Sequence, residues 1–348
     1  MKTYIRSASS ISPQNTFGEN GILTDIVESV GTRLKAIEPD YKQYIDPKLI
    51  RRMSHVIKMG VSAAKDCLNR AGVEMPGAII TGTAFGCMED TVAFLTRIIE
   101  LNEEMLPPTA FIQSTHNTVA AQIALMLQCH EYNNTFVHKG VSFENALLDA
   151  VMLLNEGEAD NILVGGTEEM IDVSFTVLTR LGLYKRHPLS NLDLYKEESK
   201  GTIGGEGASF FLLTDKPSTA NMAELVALKT LYKPDGIEQN ITTFLADNDL
   251  TIADIDLIIT GRNGDIKNDK IYNELSQSLF ADKLTANYKH LCGEYPTSSS
   301  FALWLAANCI KNGKVPTIVA DSDMAPKKVL IYNQYQGNYH SLMLLSAC

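Results

Sequence analysis

The chain has 348 residues, 45% of them hydrophobic and 20% charged, with 41 acidic against 30 basic side chains and a formal net charge of -11. That length suits one large α/β unit or two fused halves, and the acidic balance argues against nucleic acid or an anionic membrane surface as a partner. No apolar run approaches the roughly 20 residues of a membrane span, MKTYIRSASSIS lacks a signal-peptide core, and the six scattered cysteines have no metal-ligand spacing, so the expectation is a cytoplasmic protein with reduced thiols and no metal or cofactor.

Tyr4 and Ile5 predict a short first strand, followed by an irregular Gly, Asn and Ser-rich segment to about residue 22. Between Asp46 and Ala71 the residues Leu49, Met53, Val56, Ile57, Ala63, Ala64 and Leu68 keep one face apolar, which predicts a single helix stopped by Gly72. Ala78 to Ile80 predicts a strand, and TGTAFG at 81–86 a close-packed turn, since neither phosphate-loop spacing is present. A helix follows from Glu89 to Leu101. Pro107 and Pro108 then break the chain before FIQSTHNTVAAQIALML, whose last part reads as a buried helix.

The stretch from Asn133 to Met170 predicts strand, turn, helix and strand in close order. Thr135 to Val137 is apolar, Gly140 to Ser142 is a small-residue turn, and Phe143, Ala146, Leu147, Ala150 and Leu154 recur at helical spacing. Ser142 is the expected N-cap, and Glu144 sits in the first turn, where the helix dipole favours an anion. Val173 to Gly182 predicts a helix. After a polar excursion, GGEGA at 204–208 leads into the strand Ser209 to Thr214, with Gly205 and Gly207 expected at positive φ. From Asn221 the pattern restarts with a strand, a helix (Gly236 to Asn248), a strand (Leu257 to Thr260), the loop GRNGDIKND, a helix from Lys270, and two final strands.

Asn145, Ala146, Asp149, Ala150, the run Gly165 to Glu168, the GEGA turn and the K-x-x-x-G spacing of Lys289 and Gly293 together resemble the β-ketoacyl-ACP synthases. The resemblance implies a duplicated thiolase-like fold, a five-layer αβαβα sandwich, with halves at 1–216 and 217–348. It also implies an acyl-carrying cysteine and two basic residues that stabilise an enolate. In register, Gly140 stands at the cysteine position, Asn263 at the first histidine and Glu294 at the second, while Lys289 is retained. Glycine forms no thioester, and an ionised carboxylate cannot donate to an enolate.

The resemblance further places Gln113, Ser114, Thr115, His116, Asn117, Thr118 and Phe143 at a dimer interface or acyl pocket, with Tyr335 as a cover over it. It implies a subunit of fatty-acid or polyketide biosynthesis, of the aryl-polyene type among others. Such a subunit resembles a chain-length factor, lacks condensation activity of its own, and works with acyl carrier protein as a homodimer or as a heterodimer with an active ketosynthase. Two alternatives remain open on the residues. One is an acyltransferase with a displaced nucleophile, Ser142 or Cys292, and His116 or His138 as base; the other is a scaffold for acyl carrier protein. Arg51, Arg52, Lys58 and Lys65 form one basic group, which reads more plainly as a solvated helix face.

Overall fold

The computed structural model describes residues 2–18, 23–196 and 199–348. Its strands are β1 (Thr3–Ile11), β2 (Val30–Gly31), β3 (Ala78–Gly82), β4 (Tyr132–Phe136), β5 (Asn161–Glu168), β6 (Leu189–Ser190), β7 (Gly207–Thr214), β8 (Ala223–Tyr232), β9 (Leu257–Thr260), β10 (Thr285–Asn287), β11 (Lys328–Tyr335) and β12 (Tyr339–Ser346). Its helices are α1 (Pro47–Ile50), α2 (His55–Ala71), α3 (Met88–Glu100), α4 (Pro108–Gln113), α5 (Thr118–Leu127), α6 (Ser142–Glu156), α7 (Asp172–Arg180), α8 (Ile237–Ala246), α9 (Ile266–Gln277), α10 (Lys289–Cys292) and α11 (Ser299–Asn312).

Ten strands hydrogen-bond in the order β10-β9-β11-β12-β8-β1-β7-β5-β3-β4. The order is the same read outward from the β1–β8 junction in either direction, with β3 and β4 matched by β9 and β10, β5 and β7 by β11 and β12. That junction is short, three residue pairs from Thr3↔Leu225 to Ile5↔Ala223. The fold is thus a duplicated, thiolase-like α/β sandwich.

Period-two burial assigns each strand residue to a layer. Ile80, Val164 and Phe211 from one half of the sheet, and Ile259, Ile331 and Met343 from the other half, meet α6 and α11 in one central core. The alternate residues Ile79, Leu163 and Phe210 face α2 and α5. Ile258, Leu330 and Leu344 face α8 and α9. Strands buried on both faces explain why their sequences run almost continuously apolar.

Several boundaries differ from the sequence reading. β1 extends to Ile11, because Ser7, Ser9 and Ser10 are buried with partners: Ser9 donates to Asp66 at 2.6 Å and Ser10 pairs with Ser209 at 2.9 Å. The irregular segment thus begins only after Ile11, and its last part, residues 19–22, lies outside the described residues. The single helix expected from Asp46 to Ala71 is two, α1 and α2, separated by a turn at 51–54 that exposes Arg51 and Arg52. The first N–H groups of α2 are taken by carboxylates from elsewhere, Glu89 on His55 and Glu169 on Val56, so its start is fixed by tertiary contacts. Gly72 ends α2 in the left-handed region, as expected, and Gly157 ends α6 in the same way. Gly205 and Gly207 do not have positive φ. Gly205 is required by close approach: a Cβ there would collide with the Cys292 carbonyl. The α5 helix is half-buried rather than buried, and leaves Leu125 71% exposed.

Candidate functional site

Between β4 and α6 the chain passes through a tight turn. Lys139 is exposed with φ +48, and Gly140 behind it is buried. Ser142 is the first residue of α6 rather than its N-cap. Its hydroxyl is used inside the turn, accepting from the His138 N–H at 2.7 Å and donating to the Lys139 carbonyl at 2.8 Å. A Cβ at Gly140 would overlap the Cβ of Tyr335 and stand 2.6 Å from its Cγ. Tyr335 ends β11, where a three-residue loop with positive φ at Gln336 and Gly337 returns the chain into β12. It is 8% exposed, and burial pushes its phenol up. The place of a side chain at 140 is filled by another residue's side chain.

Asn263, Lys289 and Glu294 converge. The Glu294 carboxylate accepts from the Asn263 amide at 2.6 Å and from the Lys289 ammonium at 2.7 Å, both on Oε2. Lys289, the first residue of α10, is fully buried, and Glu294 is 6% exposed. Asp269 in the first turn of α9 shapes the loop that carries Asn263, accepting from the N–H groups of Asn263 and Gly264 at 2.8 Å. Arg262 also pairs with Asp269, at 3.2 Å, and lies over the Tyr195 ring. Asp265 caps α9 through the N–H groups of Lys267 and Asn268. The loop is thus held from several sides, and its Asn side chain is committed to Glu294.

A second buried carboxylate, Glu144 of α6, accepts from Ser341 at 2.7 Å. Burial raises its proton affinity, partly offset by the hydrogen bond from Ser341 and by the charge of Lys289. Among the described residues, Glu144 Oε2, Glu294 Oε1 and the hydroxyls of Thr297, Ser298 and Ser299 are buried without a hydrogen-bond partner. The first turns of α6 and α11 therefore contribute to a closed, polar, carboxylate-containing centre. Two of its donors, the Lys289 ammonium and the Asn263 amide, already serve an internal acceptor.

Glu168 closes β5 inside the 81–86 turn. Its carboxylate accepts from the N–H groups of Ala84 and Phe85 and from the Thr83 hydroxyl. Burial still pushes it up to about 8. Glu169 accepts from the Glu89 N–H at 2.8 Å and the Val56 N–H at 3.2 Å, joining the starts of α3 and α2; burial pushes it up to about 7.

The other sequence candidates take no part in the hydrogen bonds among Asn263, Lys289 and Glu294, although Cys292 sits close enough to feel the charges of Lys289 and Glu294. Gln113 is buried at the end of α4 and donates to the Arg52 carbonyl at 2.5 Å. Ser114 folds back onto the Phe111 carbonyl, Thr118 donates to the Gln113 carbonyl, and Thr115, His116 and Asn117 form an exposed corner with His116 against Gly86. Phe143 is a core residue, tilted against Phe211 with ring centroids 5.8 Å apart. Cys292 is fully buried and burial raises its thiol. His138 is exposed and pairs with Asn145 at 3.0 Å. Residues missed in the sequence are Glu144, Ser341 and Glu168; Glu144 did carry the signal of an acid in a helix first turn. Among the described residues no group of three or more His, Cys, Asp or Glu could hold a metal ion, and no helix is long and apolar enough to cross a membrane.

The sequence profile of the family described as "Beta-ketoacyl synthase, N-terminal domain" matches residues 34–189, which include the β4–α6 turn and the Gly-Gly-Thr-Glu end of β5. Residues 34–189 are thus similar to the N-terminal domain of the β-ketoacyl synthases. Among curated relatives of this family, the 3-oxoacyl-[acyl-carrier-protein] synthase 2 of Synechocystis sp. is 23% identical over 189 residues. That match covers 51% of this chain and 45% of the relative, so the chain spans about half the length of that synthase. Among solved structures, the ishigamide ketosynthase/chain length factor superposes with a TM-score of 0.82 at 17% identity, covering 100% of this chain and 99% of the other. The Xenorhabdus doucetiae ketosynthase in complex with its chain length factor gives 0.80 at 14% identity, over 100% and 98%. A β-ketoacyl synthase from Burkholderia phymatum gives 0.79 at 15% identity, over 100% and 99%. At these identities the superpositions speak for the fold of this β-ketoacyl-synthase-like chain.

Proposed function

We propose that this chain is a chain-length-factor-like subunit of fatty-acid or polyketide synthesis: it pairs with an active ketosynthase, meets its acyl carrier protein, and performs no condensation itself. The observation that carries this reading is Tyr335 standing where a side chain of residue 140 would project. With Gly140 at the nucleophile position there is no atom to hold an acyl group, and the space for one is occupied. The two positions that would stabilise an enolate are Asn263 and Glu294, which bond to each other. A developing anion there would face a carboxylate.

Pairing is supported by the distribution of exposed apolar groups. Fourteen of the twenty-two large apolar side chains exposed among the described residues fall between Leu95 and Leu181, a quarter of the sequence. Within that quarter β4 is an edge strand, paired only with β3, and Val137 just beyond its end is 48% exposed. An edge with unpaired backbone groups beside apolar side chains favours strand addition from another chain. The repeated strand order supports the proposed halves 1–216 and 217–348 in the same way.

A displaced nucleophile finds no support in the geometry. The Ser142 hydroxyl bonds only to backbone groups, and the Cys292 thiol is desolvated against the Gly293 carbonyl. The experiment is intact-protein mass spectrometry after incubation with acyl-CoA and acyl-carrier donors, with the chain alone and with candidate ketosynthases. The expected result is no adduct on this chain, and acylation and elongation on the partner only when both are present. An adduct on this chain, or no change in any ketosynthase on mixing, overturns the proposal.

A further inference from the structure

Away from the Gly140 centre, a cavity of about 630 Å³ lies between the 35–38 segment, the starts of α2 and α3, and residues 169–172. His55, the first residue of α2, is in its wall with both ring nitrogens facing carboxylates. Nδ1 is 3.1 Å from Glu38 Oε1, and Nε2 is 3.2 Å from Glu206 Oε1. Two such contacts need two N–H donors, which only the imidazolium has.

We infer that His55 is a pH-sensitive latch, holding the 37–40 segment at the mouth of this cavity while protonated and letting it go when the ring loses its proton to solvent. The two carboxylates are unequal partners. Glu206 is 4% exposed and also accepts from the Ala36 and Met170 N–H groups, whereas the Glu38 side chain is 51% exposed. A neutral ring keeps its one proton on Nε2, against the carboxylate that water cannot reach. Its Nδ1 lone pair then faces Glu38, which turns outward and is hydrated.

Every element packed around the ring bears on this. Burial works against the imidazolium, but the Glu206 hydrogen bond and the charges of Glu206, Glu38 and Glu169 outweigh it and hold His55 above the ordinary 6.5. Glu89 of α3 accepts from the His55 backbone N–H. Lys58, one turn along α2, lies over the Tyr41 ring, and Lys35 and Asp172 complete the charged rim. A group raised on folding stabilises fully below its unfolded value and loses that contribution as pH climbs through its folded value, so the latch opens on the alkaline side. The ties upstream, Leu34 N–H to the Gly204 carbonyl and Ala36 N–H to Glu206, do not titrate with His55 and keep the segment anchored.

The test is hydrogen exchange on the full chain, corrected for intrinsic rates, at about pH 6 and about pH 9. The peptide covering 34–41 contains the Ile37 N–H bonded to the Ser12 carbonyl. Its protection is expected to fall roughly tenfold further between the two conditions than that of peptides of β9 and β11, which report any change in the stability of the whole chain. E38Q is expected to hold the peptide closed at both, because a neutral Nδ1 accepts from the Gln amide, and H55Q removes the pH dependence. Histidine NMR of the wild-type chain, with His55 titrating in step with the loss of protection, reads the latch without any variant. A flat wild-type profile, core peptides opening in step, or pH dependence surviving in both variants overturns the inference.

Discussion

Tyr335 and Gly140 are 195 positions apart in sequence, yet the Cβ and ring of the tyrosine occupy the volume a β-carbon at 140 would need. The relationship joins the two halves at the centre of the sandwich, because Tyr335 ends β11 and Gly140 precedes α6. It also makes a cysteine introduced at 140 by a single substitution sterically unfavourable.

Gly140→Cys is therefore expected to destabilise the chain, by about 1–3 kcal/mol for overpacking a filled site, and to gain no acyl adduct. Pairing it with Tyr335→Gly removes the overlap, which involves the tyrosine Cβ as well as its ring, so the two substitutions are expected to cost less together than the sum of their separate effects. Thermal melts and intact mass after incubation with acyl-CoA check both points. A Gly140→Cys protein that melts like the wild type and carries an acyl group contradicts the steric argument.

Lys289 and Glu294 are a buried pair whose members do not tolerate separation. Lys289→Met leaves an ionised carboxylate with only the Asn263 amide as donor, and is expected to cost about 3–5 kcal/mol. Removing both charges with Lys289→Met and Glu294→Leu is expected to cost far less, since the desolvation of each ion disappears with its partner. Urea melts of the two single variants and the double variant form the cycle. Additive single effects mean that the two residues do not act as a pair.

Glu168 and Glu169, pushed up to about 8 and about 7, give the chain a stability that falls toward alkaline pH. Both carboxyls bind protons more tightly folded than unfolded, so their contribution is complete below the unfolded value of 4.5 and is lost as pH rises through 7 and 8. Melting temperature should decline between about pH 5 and pH 8, and Glu168→Gln should flatten that decline. A melting temperature that rises over this window refutes the assignment.

The sequence makes the local strand–turn–helix order legible, because apolar residues recur at period 2 or 3.6 and Gly72 and Gly157 stop two helices where positive φ is required. It does not show what arrives from elsewhere. The break before α2 depends on Glu89 and Glu169, and the length of β1 depends on Asp66 and Ser209 receiving its serines. Gly140, Asn263 and Glu294 could be singled out because flanking motifs hold their register. The Asn263–Glu294 bond and the Tyr335 overlap are three-dimensional facts without a sequence period.

The exposed apolar residues near β4 give the last prediction, because they separate association from folding. Leu125 on α5 and Val137 after β4 are 71% and 48% exposed, so Leu125→Asp removes little buried area within the chain and Val137→Asp only part of one small side chain's. Each should leave the melting temperature of the isolated chain nearly unchanged, within about 0.5 kcal/mol of wild-type stability. Together they should weaken pairing with a ketosynthase at least tenfold, since a carboxylate at a dehydrated contact must be stripped of water without a partner. Sedimentation of the mixed proteins, alongside melts of each alone, separates the outcomes. Unchanged association puts the contact on another face, and a joint loss of folding and association means that these side chains support the chain itself.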